Sequence, residues 1–239
     1  MRIVSGSGGI VNGSRAADET PAACYEWDVE PFSSLLQHHT LATLAWCAAG
    51  FASGSIPFGL ILALLVGKTD VRTRGSGNIG ATNVARVVGR KLGVVTLVLD
   101  ALKGALPALA VELWPPAGEN SLETGLLGGL VGLAALLGHC FTPWLRFKGG
   151  KGVTTGLGVL LALHPEVAAY GLGAFAVAFL ASRIVSVSSL SAAVVVVAAL
   201  FVLGPVDVRL LPMLACLVVI VARHGDNIRR LRRREELSL

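Results

Sequence analysis

Residues 41–66 read LATLAWCAAGFASGSIPFGLILALLV and contain no charged side chain. An apolar run of this length can cross the hydrocarbon core of a bilayer as a helix, which takes about 20 residues. Gly50, Gly54 and Pro57 interrupt the run, so we expect a kink near residues 53–59. The stretch therefore predicts a membrane-spanning helix.

The composition of the whole chain supports a membrane fold. Of its 239 residues, 54% are hydrophobic and only 15% are charged, whereas a soluble domain carries about 25% charged residues. The apolar residues come in long blocks, without the strand-like alternation that a membrane β-barrel requires. These features predict a polytopic, all-α membrane protein.

Six further apolar runs give about seven candidate transmembrane helices in total. They lie at 92–113, 124–141, 153–163, 167–181, 184–203 and 208–222. The run at 153–163 is short for a span, and it is either a short helix inside the bundle or a tilted half-helix that lines a cavity.

The distribution of basic residues predicts the orientation. Lys and Arg are found at 68–91, at 142–152, at Arg183 and from Arg223 onward, but not at 114–123 or 204–208. Because basic loops remain in the cytoplasm, we expect the N-terminus outside and the C-terminus inside. The arginines of the C-terminal end are then attributed to topology and to anionic lipid rather than to nucleic acid.

The first 40 residues differ in kind from the rest. They are polar, small and without periodicity, and they lack the apolar run of a secretory signal. We expect residues 1–40 to be a disordered extension and residues 41–239 to form the membrane-embedded domain. The four cysteines include no CxxC pair, so neither a zinc site nor a redox motif is predicted.

A glycine-rich, basic segment at residues 147–155 indicates an anion site. It reads FKGGKGVTT. Gly149, Gly150 and Gly152 let the backbone approach an anion closely, and Lys151 supplies a charge beside a helix N-terminus that favours phosphate. The spacing is not that of a Walker A loop, because position 145 is Leu and Gly152 follows Lys151. Nucleotide hydrolysis is therefore not implied.

Two more polar motifs are expected on the same, cytoplasmic side. Residues 72–86 combine glycines, hydroxyls and amides with Arg86, groups that bind a phosphate monoester. Residues 223–231 place His224, which titrates near neutral pH, close to Asn227. Three polar motifs on one side of the membrane point to one composite site.

Polar residues also fall in or beside the apolar runs. Asp100 and Lys103 are three residues apart, so they share a helix face and can form an ion pair that orients the helix. Ser186, Ser188 and Ser189 follow Arg183. They are either helix-packing residues or part of the polar pocket.

With these motifs assembled, the chain resembles the bacterial acyl-phosphate:glycerol-3-phosphate acyltransferase (PlsY-type) family. The resemblance covers residues 49–236 and rests on several motifs in the same order. They are GSIPFG at 54–59, GSGNIGATN at 75–83, DALKG at 100–104, GH at 138–139, FKGGKGV at 147–153, and His224 with Asn227, Ile228, Arg230 and Leu231. The late acidic residue of the family corresponds to Glu236.

The resemblance implies a seven-helix enzyme of the bacterial inner membrane, with an active site that faces the cytoplasm. It would transfer a fatty acyl group from a long-chain acyl phosphate to the 1-hydroxyl of glycerol 3-phosphate, giving lysophosphatidic acid, the first acylation of phospholipid biosynthesis. No cofactor or metal is expected. The family's functional positions correspond to Ser76, Arg86, Lys151, Ser189, His224 and Asn227.

We expect these residues to act by positioning and charge stabilisation. Ser76, Lys151 and His224 are the catalytic candidates. Phosphate binding is assigned to Arg86, Gly149, Gly150, Lys151, Gly152, Ser189 and Asn227, with support from Asn78, Asn83, Asp100 and Lys103. The general base is either His224 or a substrate phosphate oxygen.

An anion or phospholipid transporter is the rival class. Internal repeats and a site at the membrane midplane would favour this hypothesis. The sequence shows no repeat, and its polar motifs gather on one side. A structural membrane scaffold would leave the set of Asn, Ser, His and Lys residues unexplained.

Overall fold

The structure, a computed structural model, describes residues 29–115, 121–204 and 206–238. Eleven α-helices form within these ranges. In chain order, α1 to α11 are Glu30–His38, Thr40–Ser55, Phe58–Leu65, Ala81–Val87, Arg90–Leu113, Ser121–Cys140, Val153–Leu163, Pro165–Ser182, Val185–Leu203, Leu210–Arg223 and Gly225–Arg232.

Five spans are long and apolar enough to cross a membrane, and a sixth is added if α10 and α11, bent by 47°, count as one. The five spans are Thr40–Leu65, which joins α2 and α3, Arg90–Leu113, Leu122–Leu145, Pro165–Ser182 and Val185–Leu203. Helix α7 is apolar but short. The prediction of an all-α polytopic membrane protein is confirmed, with five or six clear spans in the described part of the chain.

The expected kink in the first span is present. Helix α2 ends at Ser55 and α3 begins at Phe58, so the chain breaks at Pro57. Two side chains from elsewhere in the chain donate hydrogen bonds to carbonyls at the break. Thr142 Oγ1 donates to the carbonyl of Ser55 over 2.7 Å, and Lys103 Nζ donates to that of Ile56 over 2.9 Å.

Helix α6 is the centre of the bundle. About two thirds of the most apolar part of its span is buried, whereas only about a sixth of the corresponding part of α8 is buried. Small residues bring neighbouring backbones together: a side chain at Gly54 would overlap the carbonyl of Ala135, and one at Gly138 would overlap that of Phe51. Close approach at small residues is how membrane helices pack without a hydrophobic driving force.

The disorder predicted for residues 1–40 is wrong from residue 29 onward. Helix α1 spans Glu30–His38, with Pro31 in its first turn. Its Leu35 is 1% exposed and packs in an apolar cluster with Val111 and Leu126 of α5 and α6. One buried leucine contributes about 2 kcal/mol, which composition alone does not reveal. Residues 1–28 lie outside the described residues.

Candidate active site

A cavity of about 210 Å³, here called the reaction cavity, collects most of the predicted polar residues. It lies among α4, α5, α7, α9 and the α10–α11 junction. Of the predicted set, its lining contains Ser76, Asn78, Asn83, Arg86, Asp100, Lys151, Gly152, Ser189, His224 and Asn227. The motifs, far apart in sequence, therefore form one site. Gly149, Gly150 and Lys103 are not in its lining.

Asn83 organises the loop that carries Ser76. Its side-chain oxygen accepts the N–H of Ser76 over 2.9 Å, while its amide group donates to the carbonyls of Val71, Arg74 and Asn78. The side chain is 1% exposed and its hydrogen bonds stay within the loop. Asn83 therefore shapes the loop that presents Ser76, in keeping with a supporting role.

Gly149 and Gly150 do not offer their N–H groups to a phosphate. These groups donate to the carbonyls of Cys140 and His139, over 3.1 and 3.0 Å. The carbonyls of the two glycines accept hydrogen bonds from the guanidinium of Arg223. The prediction that these two residues bind phosphate is corrected on this point, because their hydrogen-bonding groups are already used.

The need for glycine at these positions comes from close packing. A side chain at Gly150 would overlap the imidazole of His139, and one at Gly149 would overlap its carbonyl. Free donors come slightly later: within the described residues, the N–H groups of Lys151, Gly152, Val153 and Thr154 make no hydrogen bond to backbone or side chain. They stand at the N-terminus of α7, where an anion is favoured.

Lys151 and Arg86 are the two basic residues that line the reaction cavity, and Lys151 is the one without a hydrogen-bond partner in the described chain. Its half-buried side chain makes no hydrogen bond or ion pair with any residue that the structure describes. Burial, opposed in part by the carboxylate of Glu236, lowers the pKa of Lys151 to about 8. A bound phosphate would favour the charged amine and reverse this effect.

His224 is held in one orientation. It is 1% exposed, and its Nδ1 lies 2.7 Å from the carbonyl oxygen of Ile220. A carbonyl only accepts, so Nδ1 carries the hydrogen and Nε2 is left as an acceptor in the neutral ring. The imidazole can therefore take a proton or orient a hydroxyl.

The C-terminal segment closes one side of the reaction cavity through Glu236. The carboxylate accepts hydrogen bonds from Ser186 Oγ and from the amide of Asn227, and it pairs with Arg230 over 2.7 Å. Burial would raise the pKa of Glu236, but these hydrogen bonds and Arg230 hold it below its ordinary value. The carboxylate stays ionised and fixes Asn227.

The serines of α9 divide between the two roles that the sequence left open. Ser186 and Ser189 line the reaction cavity. Ser188 is fully buried and its hydroxyl bonds back to the carbonyl of Ile184. Ser189 also bonds back, to Val185. Two of the three serines thus belong to the site, and Ser188 is a packing residue.

Asp100 and Lys103 form the predicted ion pair. Lys103 Nζ lies 2.6 Å from Asp100 Oδ1, and both side chains are almost completely buried. His139 joins them, with Nδ1 3.8 Å from the same carboxylate oxygen. Asp100 and His139 reach the reaction cavity, whereas Lys103 turns to the break in the first span. The pair thus connects the site to the kink.

His139 and Glu236 were matched to family motifs without a role. The signal for His139 was available, because an ionisable residue in an apolar span is commonly functional. Glu236 follows a run of arginines and gave no signal. In the described part of the chain, no group of three His, Cys, Asp or Glu side chains could hold a metal ion.

An apolar cavity adjoins the reaction cavity between α7, α8, α9 and α10. The two share Val153, Leu157, Leu172, Phe175 and Ser189. Small residues create the space; Gly156, Gly171, Ala192 and Ala193 are part of its wall. This cavity, here called the apolar groove, is lined almost entirely by apolar side chains.

Comparisons with known proteins agree with this geometry. A family model described as glycerol-3-phosphate acyltransferase matches residues 44–234. A glycerol-3-phosphate acyltransferase of Anaeromyxobacter sp. (strain Fw109-5) is 50% identical, over 82% of this chain and 96% of the relative. The corresponding protein of Myxococcus xanthus (strain DK1622) is 46% identical, over 81% and 98%.

Two crystal structures are also similar. Both are of PlsY (YgiH), an integral membrane glycerol 3-phosphate acyltransferase. Its glycerol 3-phosphate form has a TM-score of 0.75 and 40% identity, covering 83% of this chain and 96% of that one. Its lysophosphatidic acid form has a TM-score of 0.72 and 38% identity, covering 83% and 95%.

Proposed function

Because the chain belongs to the glycerol-3-phosphate acyltransferase family, we propose that its reaction cavity transfers a fatty acyl group from acyl phosphate to the 1-hydroxyl of glycerol 3-phosphate. The products are lysophosphatidic acid and inorganic phosphate. The observation that carries the proposal is the position of Lys151, in a cavity with several phosphate-binding groups on one side and an apolar groove on the other.

The phosphates are bound by charge and by free donors. Lys151 and Arg86 supply positive charge, and the N–H groups at the start of α7 supply hydrogen bonds that need no reorganisation. Ser76, Ser189 and Asn227 orient the two substrates. Gly149 and Gly150 hold the loop in shape by packing against His139.

The reaction itself is a direct displacement. The glycerol oxygen attacks the acyl carbonyl carbon, the bond from this carbon to the phosphate oxygen breaks, and inorganic phosphate leaves with the electron pair of that bond. Acyl phosphate is already an activated anhydride, so no acyl-enzyme is needed. Positioning two bound reactants supplies much of the rate enhancement.

The hydroxyl proton goes to Nε2 of His224, which the bond from Nδ1 to Ile220 leaves as an acceptor. A phosphate oxygen is the alternative acceptor. His224→Gln separates them, because the amide can still bond the hydroxyl but cannot take its proton. A loss of about a hundredfold or more in kcat supports His224, and nearly full turnover assigns the proton to phosphate.

The acyl chain lies in the apolar groove between α7, α8, α9 and α10. This groove opens from the reaction cavity at Ser189 and extends toward Leu200 and Met213. From Ser189 to Leu200 the helix rises about 16 Å, roughly half of the hydrocarbon core. A long-chain donor therefore enters from the bilayer and a soluble acceptor from the water.

The chain crosses the bacterial inner membrane seven times, with the N-terminus outside and the C-terminus in the cytoplasm. Helix α7 supplies one of the seven crossings, in addition to the five clear spans and the bent pair of α10 and α11. The positive-inside rule supports this orientation, since the reaction cavity and the basic segments share one end of the bundle.

The test is an assay of purified protein in detergent with palmitoyl phosphate and glycerol 3-phosphate. We expect phosphate release that depends on glycerol 3-phosphate, reduced about a hundredfold or more by Lys151→Ala. Lys148→Ala, an exposed lysine outside the cavity lining, is the control and stays near the unmodified rate. If folded protein released no phosphate, the transporter hypothesis would be favoured.

A further inference from the structure

A second polar cavity, here called the basic cavity, lies on the other side of Lys151. Its volume is about 250 Å³. It shares Ser76, Asn78, Lys151 and Asn227 with the reaction cavity, so the two adjoin at these side chains. Its remaining wall is the end of α10 and the start of α11, where Arg223, Asp226, Arg229 and Arg230 are located.

Positive charge is in excess in the basic cavity. Four cationic side chains line it, against the single carboxylate of Asp226. Arg230 is neutralised by Glu236, and Arg229 pairs with Asp226. Arg223 donates only to the neutral carbonyls of Gly149 and Gly150, and Lys151 has no partner in the described chain. Two positive charges are thus left over.

The exposed rim of the basic cavity is formed by an ion pair between Arg229 and Asp226, which a competing anion can replace. The side chains of Arg229 and Asp226 are 74% and 72% exposed. Solvent-exposed pairs of this kind contribute little stability. Arg229 can therefore leave the carboxylate of Asp226 for an entering dianion.

We infer that the basic cavity is a capture site for phosphate monoester dianions, which binds glycerol 3-phosphate before it passes Lys151 into the reaction cavity. The inference rests on the proposed function. No residue is shared between the basic cavity and the apolar groove, so the soluble substrate and the acyl donor approach by separate routes. Inorganic phosphate, also a dianion, leaves through the same cavity.

Three variants distinguish binding in the basic cavity from a non-specific effect of the protein's positive charge. Arg229→Gln removes the rim cation and leaves Asp226 unpaired, so the KM for glycerol 3-phosphate rises about three- to fivefold at low ionic strength. Asp226→Asn frees Arg229 and lowers that KM about twofold. Arg232→Gln is the matched control, because it removes the same charge from the same helix at an exposed position outside the cavity.

Further measurements separate glycerol 3-phosphate from the acyl donor and from the phosphate product. The KM for palmitoyl phosphate stays unchanged in all three variants, because the donor does not pass the basic cavity. Product inhibition by inorganic phosphate weakens in Arg229→Gln if the product uses the same site. The effect of Arg229→Gln shrinks as salt is added, since exposed charges are screened.

Equal KM values for Arg229→Gln and Arg232→Gln would overturn the capture site and leave the acyltransferase intact. If the unmodified protein releases no phosphate, the proposed function fails instead. Equilibrium binding of inorganic phosphate at low ionic strength then tests the basic cavity by itself. Weaker binding by Arg229→Gln than by Arg232→Gln supports it, and equal binding refutes it.

Discussion

Lys151 is the one charged residue among the four that the two polar cavities share, and its charge is the property that both require. With a pKa of about 8, the amine is protonated below that pH and neutral above it. We therefore expect kcat/KM for glycerol 3-phosphate to fall as pH rises through about 8. The bound dianion favours the charged amine, so kcat falls only at higher pH.

Lys151→Arg supplies the comparison. A guanidinium keeps its charge at every pH of the assay, so the alkaline fall in kcat/KM moves upward, while the different geometry lowers the maximum. Each profile is measured relative to its own maximum between pH 6 and 10. An alkaline limb at the same pH in both proteins would assign the titration to another group.

Residue chemistry was predictable from the sequence where a side chain acts through its own functional group. Ser76, Arg86 and Asn227 reach the reaction cavity as expected. The role of Gly149 and Gly150 was not, because it depends on where their N–H groups are already bonded. A glycine-rich pattern indicates close approach but does not identify the approaching group; here it is His139.

At the scale of helices, the contact between α5 and α7 determines where the Lys151 loop sits. A side chain at Gly158 would overlap the carbonyl oxygen of Ala101. We expect Gly158→Ala to separate the two helices and to destabilise the protein by about 1–3 kcal/mol. Turnover falls as well, because α7 carries the loop at its N-terminus.

Gly173→Ala is the matched control for that change. Gly173 lies on α8, where a Cβ atom would meet nothing within 4 Å. The substitution is neutral or stabilises by up to about 1 kcal/mol, through helix propensity. Thermal unfolding in detergent compares the two. A Gly158→Ala protein as stable and active as Gly173→Ala would show that this close contact is dispensable.

Helix prediction succeeded where apolar length alone decides the outcome. The runs at 92–113, 124–141 and 184–203 correspond to α5, α6 and α9 within a few residues. It failed at α1, whose amphipathic turn is stabilised by Leu35 against distant residues of α5 and α6. This burial depends on residues that are distant in sequence, so the local pattern of the segment does not reveal it.

For the whole molecule, the topology can be tested on either side of α7. Lys148 and Glu166 are both exposed and flank this short helix. Labelling Lys148→Cys and Glu166→Cys in intact cells with a membrane-impermeant maleimide should modify only the second. Permeabilised cells should modify both. Labelling of the two positions from the same side would show that α7 does not cross.

The architecture as a whole combines an apolar groove, a reaction cavity and a basic cavity in series. Composition predicted the membrane fold, and the three motifs predicted one site. The order of these three spaces could not be predicted. It arises from the 47° bend between α10 and α11 and from the position of Lys151 between the reaction cavity and the basic cavity. Both are properties of packing rather than of any segment.

The Asp100–Lys103 ion pair has a consequence for biogenesis. Each charge alone would cost about 2.5–3.5 kcal/mol at the centre of a helix entering the bilayer through the translocon. Their spacing of three residues places both partners on one helix, so the two charges can neutralise each other within α5 before this helix packs against α2 and α6. Lys103 then reaches the carbonyl of Ile56 only when the helices associate. Reversing Asp100 to a basic residue would therefore impair membrane integration of the nascent chain, upstream of any effect on turnover.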